Sequence, residues 1–281
     1  MSERSRLGDA TSSGPQGPPA ELLPAPRRRV SSRSIAILTG VLLLVFWEVV
    51  GRQISPLFAS YPTGVVSEFL DMNERGVLMP NVVASVRPFA IGYALSIVIG
   101  IPLGLALGRF RIVEAALGVY VVAAYQVPLI ALMPLFVLWF GLGVTVKVAI
   151  IVTLAVFPII LNTWDGVRAV PKSLLEVGYA FTAPQHAVML KIVLPATLPY
   201  IVSGLRLAVG RGIIGVVVAE FFTAIDGLGG LIIRAGGEFN TAAMFVPVIL
   251  LMLMGVLLTQ LVAWVERRIA PWQTDTRAQQ A

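Results

Sequence analysis

The chain has 281 residues, 57% of them hydrophobic and 13% charged, with a mean hydropathy of +0.86 and a net charge of +6. A soluble domain needs far more charge to cover its surface, so this composition is that of an integral membrane protein. The absence of cysteine excludes a disulfide framework, thiolate metal ligation and a cysteine nucleophile. The single histidine, His186, leaves no multi-histidine metal site, and no Gly-x4-Gly-Lys-Ser/Thr phosphate loop occurs, so the chain is not expected to hydrolyse ATP.

Residues 1–34 are rich in Ser, Pro, Gly and Arg without a hydrophobic period, and read as a disordered tail. Arg27, Arg28, Arg29 and Arg33 immediately precede the first apolar run, Ile35 to Val50. A basic stretch before a hydrophobic core also opens a signal peptide. Here the run passes into Trp47-Glu48 without a small-residue cleavage site, which favours a first membrane span. Tyr61 to Asn81 is more polar, with Asp71, Glu74 and Arg75, and has the length of a short extramembrane helix. A second span covers about Val86 to Leu107. Gly100, Gly104 and Gly108 recur along it every four residues, a pattern that lets a neighbouring helix pack backbone to backbone in lipid.

The third apolar region, Val113 to Phe140, is too long for one simple span and carries Pro128 and Pro134. It reads as one span interrupted near Gln126-Val127-Pro128, since broken helices persist at membrane depth where they face protein or a watery path. The fourth span runs from about Val144 to Thr163, with a kink at Pro158 and a polar exit at Asn162, Trp164, Asp165 and Arg168.

Pro171 to Pro199 is the longest mixed polar and apolar stretch within this apolar sequence. Pro171 suits a helix start. Leu174, Val177, Gly178 and Phe181 then mark one apolar helical stripe, and Glu176, Ala180 and Ala183 a second face of one carboxylate and small side chains. Thr182-Ala183-Pro184 breaks the helix, and a second short helix, Gln185 to Leu194, is expected to end at Leu194-Pro195. On physical grounds alone the stretch is either an amphipathic connector on the lipid surface or a docking element.

The fifth span covers about Leu205 to Phe222, with Gly204, Ala208 and Gly212 again spaced by four. Asp226 to Gly230 and Gly236-Gly237 bracket an apolar piece, Leu231 to Ile233, too short to cross a bilayer of roughly 30 Å. The last span covers about Ala243 to Val265, and a polar tail occupies 271–281.

Six spans with both termini in the cytoplasm best satisfy the positive-inside rule. That arrangement places Arg27, Arg28, Arg29, Arg33, Arg109, Arg111, Arg168, Lys172, Lys191, Arg267 and Arg268 inside, and only Arg75, Lys147 and Arg234 outside. The basic residues thus follow topology rather than forming a nucleic-acid site.

The 171–199 stretch resembles the cytoplasmic "EAA" loop of ABC-importer permeases, roughly E-A-A-x3-G-x9-I-x-L-P. Glu176 matches the glutamate, Ile192, Leu194 and Pro195 match the I-x-L-P end, and Pro199 a second family proline. Val177 and Gly178 replace the two alanines, and Thr182 stands at the glycine. Ser203-Gly204-Leu205-Arg206-Leu207 and Val218-Ala219-Glu220 are similar to the branch importing nitrate, taurine and alkanesulfonates, and the likeness covers roughly Tyr61 to Trp272.

The resemblance implies an all-α, type I ABC importer-like permease domain over 35–270, in a bacterial cytoplasmic (inner) membrane. It implies a coupling helix over Glu176, Gly178, Ala180, Thr182, Ala183, Leu194 and Pro195 that meets cytosolic ATPase subunits. An external substrate-binding protein and a second permease copy complete the assembly. ATP and Mg are then used by the partner ATPase, and none is bound here. Gln126, Trp139, Asn162 and Arg211 are candidates to line the path for a small anionic solute. Arg211 has a second reading, snorkelling to headgroups, and Glu220 is expected to fix the external loop. A self-sufficient secondary transporter or channel is the alternative class. It lacks the paired intramembrane carboxylates that proton coupling uses. No nucleophile, metal or acid–base set supports a membrane enzyme.

Overall fold

The computed structural model describes residues 32–223 and 226–269, so the tails expected over 1–34 and 271–281 lie almost wholly outside the described residues. Among the described residues every regular element is helical. α1 spans Ser32–Gln53, and contacts divide the chain within it, after Leu43. From Ser34 to Leu43 the helix exposes every side chain, an apolar surface suited to lipid.

The remainder, from Leu44, contains α2 (Pro62–Glu74), α3 (Leu78–Arg109), α4 (Arg111–Gln126) and α5 (Met133–Phe140), the last entered through a 3-10 turn at Leu129–Leu132. α6 (Val144–Arg168), α7 (Lys172–Ala180) and α8 (Gln185–Val188) follow. A π-turn at Met189–Val193 leads into α9 (Leu194–Thr223), then α10 (Leu228–Gly237) and α11 (Thr241–Ile269). Among the described residues five helical stretches are long and apolar enough to cross a membrane, and α4 with α5 forms a sixth candidate bent by 84°.

α6 is the axis of the bundle, with half of its apolar window buried against 6% for α1. α3 lies along it through residues spaced by four on both sides. A Cβ on Gly92 would lie 2.8 Å from Ile151 Cβ, on Gly100 2.9 Å from Ile159, on Gly104 2.6 Å from Thr163, and on Gly108 2.4 Å from Val167. The residue numbers rise together, so α3 and α6 run parallel. Parallel neighbours require the intervening chain to return the full height of the bundle, so α4 and α5 make one broken crossing rather than a re-entrant dip. Val127 is extended and Pro128 offers no N–H, which is where the crossing breaks. Two glycines with positive φ, Gly141 at 69° and Gly143 at 129°, then turn α5 into α6.

α9 packs antiparallel on α6. Gly204 meets Asn162 and the Pro158 carbonyl, Gly215 meets Ile151, and Ala208 is fully buried with Ala155 and Ile159. Gly212, on the same helix, faces Phe89 of α3 instead. α11 runs back along α9, with Arg206 paired to Glu266 and Ile213 against Gly255. At the end opposite α7, α2 and α10 pack on α11 through Val65, Met72, Leu228, Leu231 and Val246. The expected apolar piece at Leu231 to Ile233 is thus part of a ten-residue helix.

One expected boundary is corrected. The helix opened by Gln185 does not end at Leu194-Pro195. It continues through Pro195 and Pro199 to Thr223, giving 39 residues. A proline inside an α-helix loses a hydrogen bond and drives its ring against the carbonyl four residues back. Here the turn just before Pro195 is widened, with Leu194 N–H donating to the Met189 carbonyl five residues back, and the Thr197 hydroxyl donates to the Val193 carbonyl at 2.8 Å. The π-turn lets the helix run on where a regular α-turn would break.

Candidate functional site

Three features outside simple helix packing carry polar chemistry. The first is the α7–α8 corner. Leu175 and Ala183 pack with Val167, Val170, Val188 and Val193, tying the corner to the end of α6 and the start of the α9 element. Gly178 is buried, and a Cβ there would lie 2.9 Å from Ile192 Cδ1. Both expected faces are therefore divided. Of the small face, Glu176 and Ala180 are exposed and Ala183 is half-buried. Of the apolar stripe, Gly178 points into the chain's own core, while Leu174, Val177 and Phe181 turn outward, 45%, 53% and 80% exposed. The inner face needs only Leu175 and Gly178, because Val188 and Ile192 approach so closely. Further along the stretch His186 is exposed, and Leu194 and Pro195 are half-buried.

The corner is made at Thr182, whose φ is 50°. Phe181 N–H donates to the Val177 carbonyl in the last regular turn, and Ala183 N–H donates to the Gly178 carbonyl, at 3.1 Å each; the second bond is the six-to-one closure that ends helices at a left-handed residue. Thr182 occupies the position of the motif's glycine and takes the backbone conformation that glycine takes without strain. Pro184 then stands extended as the cap of α8.

The second feature is Arg211. It lies twelve residues before the end of α9, about 18 Å at 1.5 Å per residue, so it stands at mid-height of the helix, on an exposed face of this chain. Among the described residues no carboxylate pairs with it. It lines a cavity of about 220 Å³ with Tyr125, Val127, Pro128, Leu154 and Phe157, beside the break in the α4–α5 crossing. The structure does not bring Gln126, Trp139 or Asn162 into this cavity. Gln126 is exposed, Trp139 lies tilted against Phe136 with ring centroids 6.2 Å apart, and Asn162 donates to the Pro158 carbonyl at 2.8 Å beneath Gly204.

The third feature is a buried ionic cluster that the sequence reading left apart. Lys147 is 2% exposed and Glu220 is fully buried. Lys147 Nζ lies 3.5 Å from Glu220 Oε1 and 2.5 Å from Asp226 Oδ1. The Ser85 hydroxyl donates to Glu220 Oε1 at 2.7 Å, and Gly229 N–H donates to Glu220 Oε2 at 2.7 Å. Leu228 N–H donates to Ser85 Oγ and Gly227 N–H to Asn81 Oδ1, so side chains of α3 and α9 cap the start of α10. Glu220 thereby holds the loop after α9, and Lys147 compensates a carboxylate that would be costly alone in a dry interior. The signal was available: Lys147 at the start of one span and Glu220 at the end of the next fall at the same membrane level.

Its apolar spans, the broken crossing and the exposed amphipathic corner make the chain a multi-pass helical membrane protein. Residues 96–271 match the binding-protein-dependent transport system inner membrane component family, and the chain belongs to it. It is 35% identical over 234 residues to the formylaminopyrimidine transport permease protein ThiX of Halalkalibacterium halodurans, covering 83% of this chain and 93% of that one. It is 30% identical over 256 residues to the taurine transport system permease protein TauC of Escherichia coli, covering 88% and 93%. The fold matches the MetNI methionine ABC transporter in an inward-facing crystal form with a TM-score of 0.59 at 19% identity, over 70% of this chain and 98% of that one. The chain is thus a multi-pass inner membrane permease component of a binding-protein-dependent ABC transporter, and not an enzyme.

Proposed function

We propose that the chain is the transmembrane half of an ATP-driven importer. Two copies enclose a translocation path for a small anionic solute, which a substrate-binding protein delivers from outside. The ATPase docks on α7 from the cytoplasm, using ATP and Mg that this chain does not bind, and both termini lie on that side. The observation that carries this reading is the outward face of α7, where Leu174, Val177 and Phe181 stay exposed beside Glu176 and Ala180 on a corner anchored to α6 and α9. An apolar face left in water on a well-packed corner suits a protein partner, and its anchorage gives a push on α7 a route into two crossing helices. The printed names of relatives span formylaminopyrimidine, aliphatic sulfonates, taurine and riboflavin, which supports a small solute without choosing one.

Glu176→Lys and Ala180→Trp test the reading, since both residues are exposed and neither supports the bundle. Each variant is expected to reach the membrane in normal amount, to lose co-purification of the ATPase by about tenfold, and to abolish ATP-driven uptake in vesicles. Exposed substitutions away from an interface usually change stability by within about 0.5 kcal/mol. Full ATPase retention with normal uptake in both variants would refute the coupling assignment.

A further inference from the structure

The cavity at Arg211 has a composition that selects among small anions. Its charged group is one guanidinium, and its other walls include the rings of Tyr125 and Phe157, 6.0 Å apart, and the apolar Pro128, Leu129 and Leu154. Leu154 and Phe157 sit midway along α6, and Arg211 lies well inside α9, so the cavity is at mid-depth. An ionisable group there is costly and is kept where it faces a polar path or a charge partner. Among the described residues Arg211 has no carboxylate partner, and the crossing breaks beside it. Irregular backbone at membrane depth persists where it is enclosed by protein or lines a wet cavity.

A compact inorganic oxyanion would engage only the guanidinium and would set its remaining oxygens against apolar walls that offer them no hydrogen bond, which is unfavourable. A flat organic anion fits both halves of the lining. Its carboxylate or sulfonate takes the planar fork of the guanidinium in a bidentate pair, and its body lies against the aromatic and aliphatic walls. We propose that Arg211, Tyr125 and Phe157 form a transient mid-membrane site for a planar organic anion, at which the solute pauses between the outer and inner openings. This proposal rests on the importer reading and narrows its solute class from any small anion to a ring-bearing carboxylate or sulfonate.

The test uses the permease co-purified with its ATPase in lipid nanodiscs, with benzenesulfonate as the probe in saturation-transfer NMR. Methanesulfonate, nitrate and benzamide serve as competitors. Benzenesulfonate is expected to bind, and Arg211→Met to weaken it by about tenfold, as loss of hydrogen bonds to a charged group does. Phe157→Leu is expected to weaken it severalfold, and none of the three competitors to displace it at equal concentration. Binding unchanged in Arg211→Met, or displacement by nitrate or methanesulfonate as effective as by benzenesulfonate itself, would overturn the site. If Arg211→Met does not assemble, Phe157→Leu decides: unchanged affinity there overturns the ring-bearing class. An ATPase that co-purifies while no probe binds removes this site and leaves the importer standing. Binding that depends on Arg211 in a permease that retains no ATPase removes the importer and leaves the site.

Discussion

Thr182 shows how one position carries more constraint than its side chain suggests. A β-branched residue at φ 50° sits in a region disfavoured by roughly 1–2 kcal/mol. The corner keeps that conformation because the hydrogen bond from Ala183 N–H to the Gly178 carbonyl closes over it and Leu175 and Ala183 pack into the adjoining core. Thr182→Gly removes the strain but adds freedom to the unfolded chain, so the two effects partly cancel. The expected net outcome is a gain of about 0.5 kcal/mol, read as a higher denaturation midpoint in detergent. A loss of stability in Thr182→Gly would show that the corner is held by the threonine side chain itself. Lys147 makes the complementary point: a charge counted by sequence as an external topology marker is enclosed by Glu220 and Asp226 and holds a loop.

Among the helices, the α3–α6 pair sets the spacing of everything else. Gly92, Gly100, Gly104 and Gly108 bring the two backbones together, and each leaves less than 3.0 Å for an added Cβ. Close approach of this kind substitutes for the hydrophobic effect, which does not draw helices together in lipid. Gly104→Leu must displace Thr163 or the Ile160 carbonyl, 2.6 and 2.7 Å from the new Cβ. Overpacking costs about 1–3 kcal/mol when neighbours can shift, and a rigid carbonyl resists shifting. The expected outcome is a sharp loss of folded permease by size exclusion and a lower unfolding temperature. Gly40→Leu, with nothing within 4 Å, serves as the tolerated control. Equal stability of the two variants would contradict the packing. The spacing of Gly100, Gly104 and Gly108 was legible in sequence because small residues four apart on an apolar helix have one main use, whereas Gly92, eight residues earlier, was not singled out. The depth of the Arg211 cavity was not legible, because it depends on where α4 breaks against α6 and α9. The inward turn of Gly178 was hidden for a similar reason: the face of α7 that packs is chosen by Val188 and Ile192, contributed by the next element.

The parallel course of α3 and α6 also fixes which ends of the bundle share a side, before any membrane is considered. Gly108 meets Val167, Arg168 pairs with Glu114, and Arg206 pairs with Glu266, so these residues gather at the end carrying α7. Arg109, Arg111, Lys172, Lys191, Arg267 and Arg268 stand at that same end by their places in the same helices. The opposite end holds Arg52 and Arg87, which the external set read from the sequence omitted, together with Arg75, Lys147 and Arg234. There Arg52 pairs with Glu48, Arg75 with Asp71, and Lys147 is enclosed by carboxylates. Loops with excess Lys and Arg stay in the cytoplasm during insertion, so the α7 end is expected to face the cytoplasm. A reporter that is active only outside the membrane, fused after Arg111, near Lys191 or after Arg268, is expected to be silent, whereas one after Arg75 or Gly230 is expected to be active. The pair of fusions at Arg111 and Lys191 is the informative one, because α4–α5 and α6 lie between them. Equal silence at both sites requires two crossings, and so requires that the broken α4–α5 element traverses the bilayer. Activity near Lys191 with silence after Arg111 would make that element a re-entrant loop, put α7 outside, and leave no cytoplasmic face on which an ATPase could act.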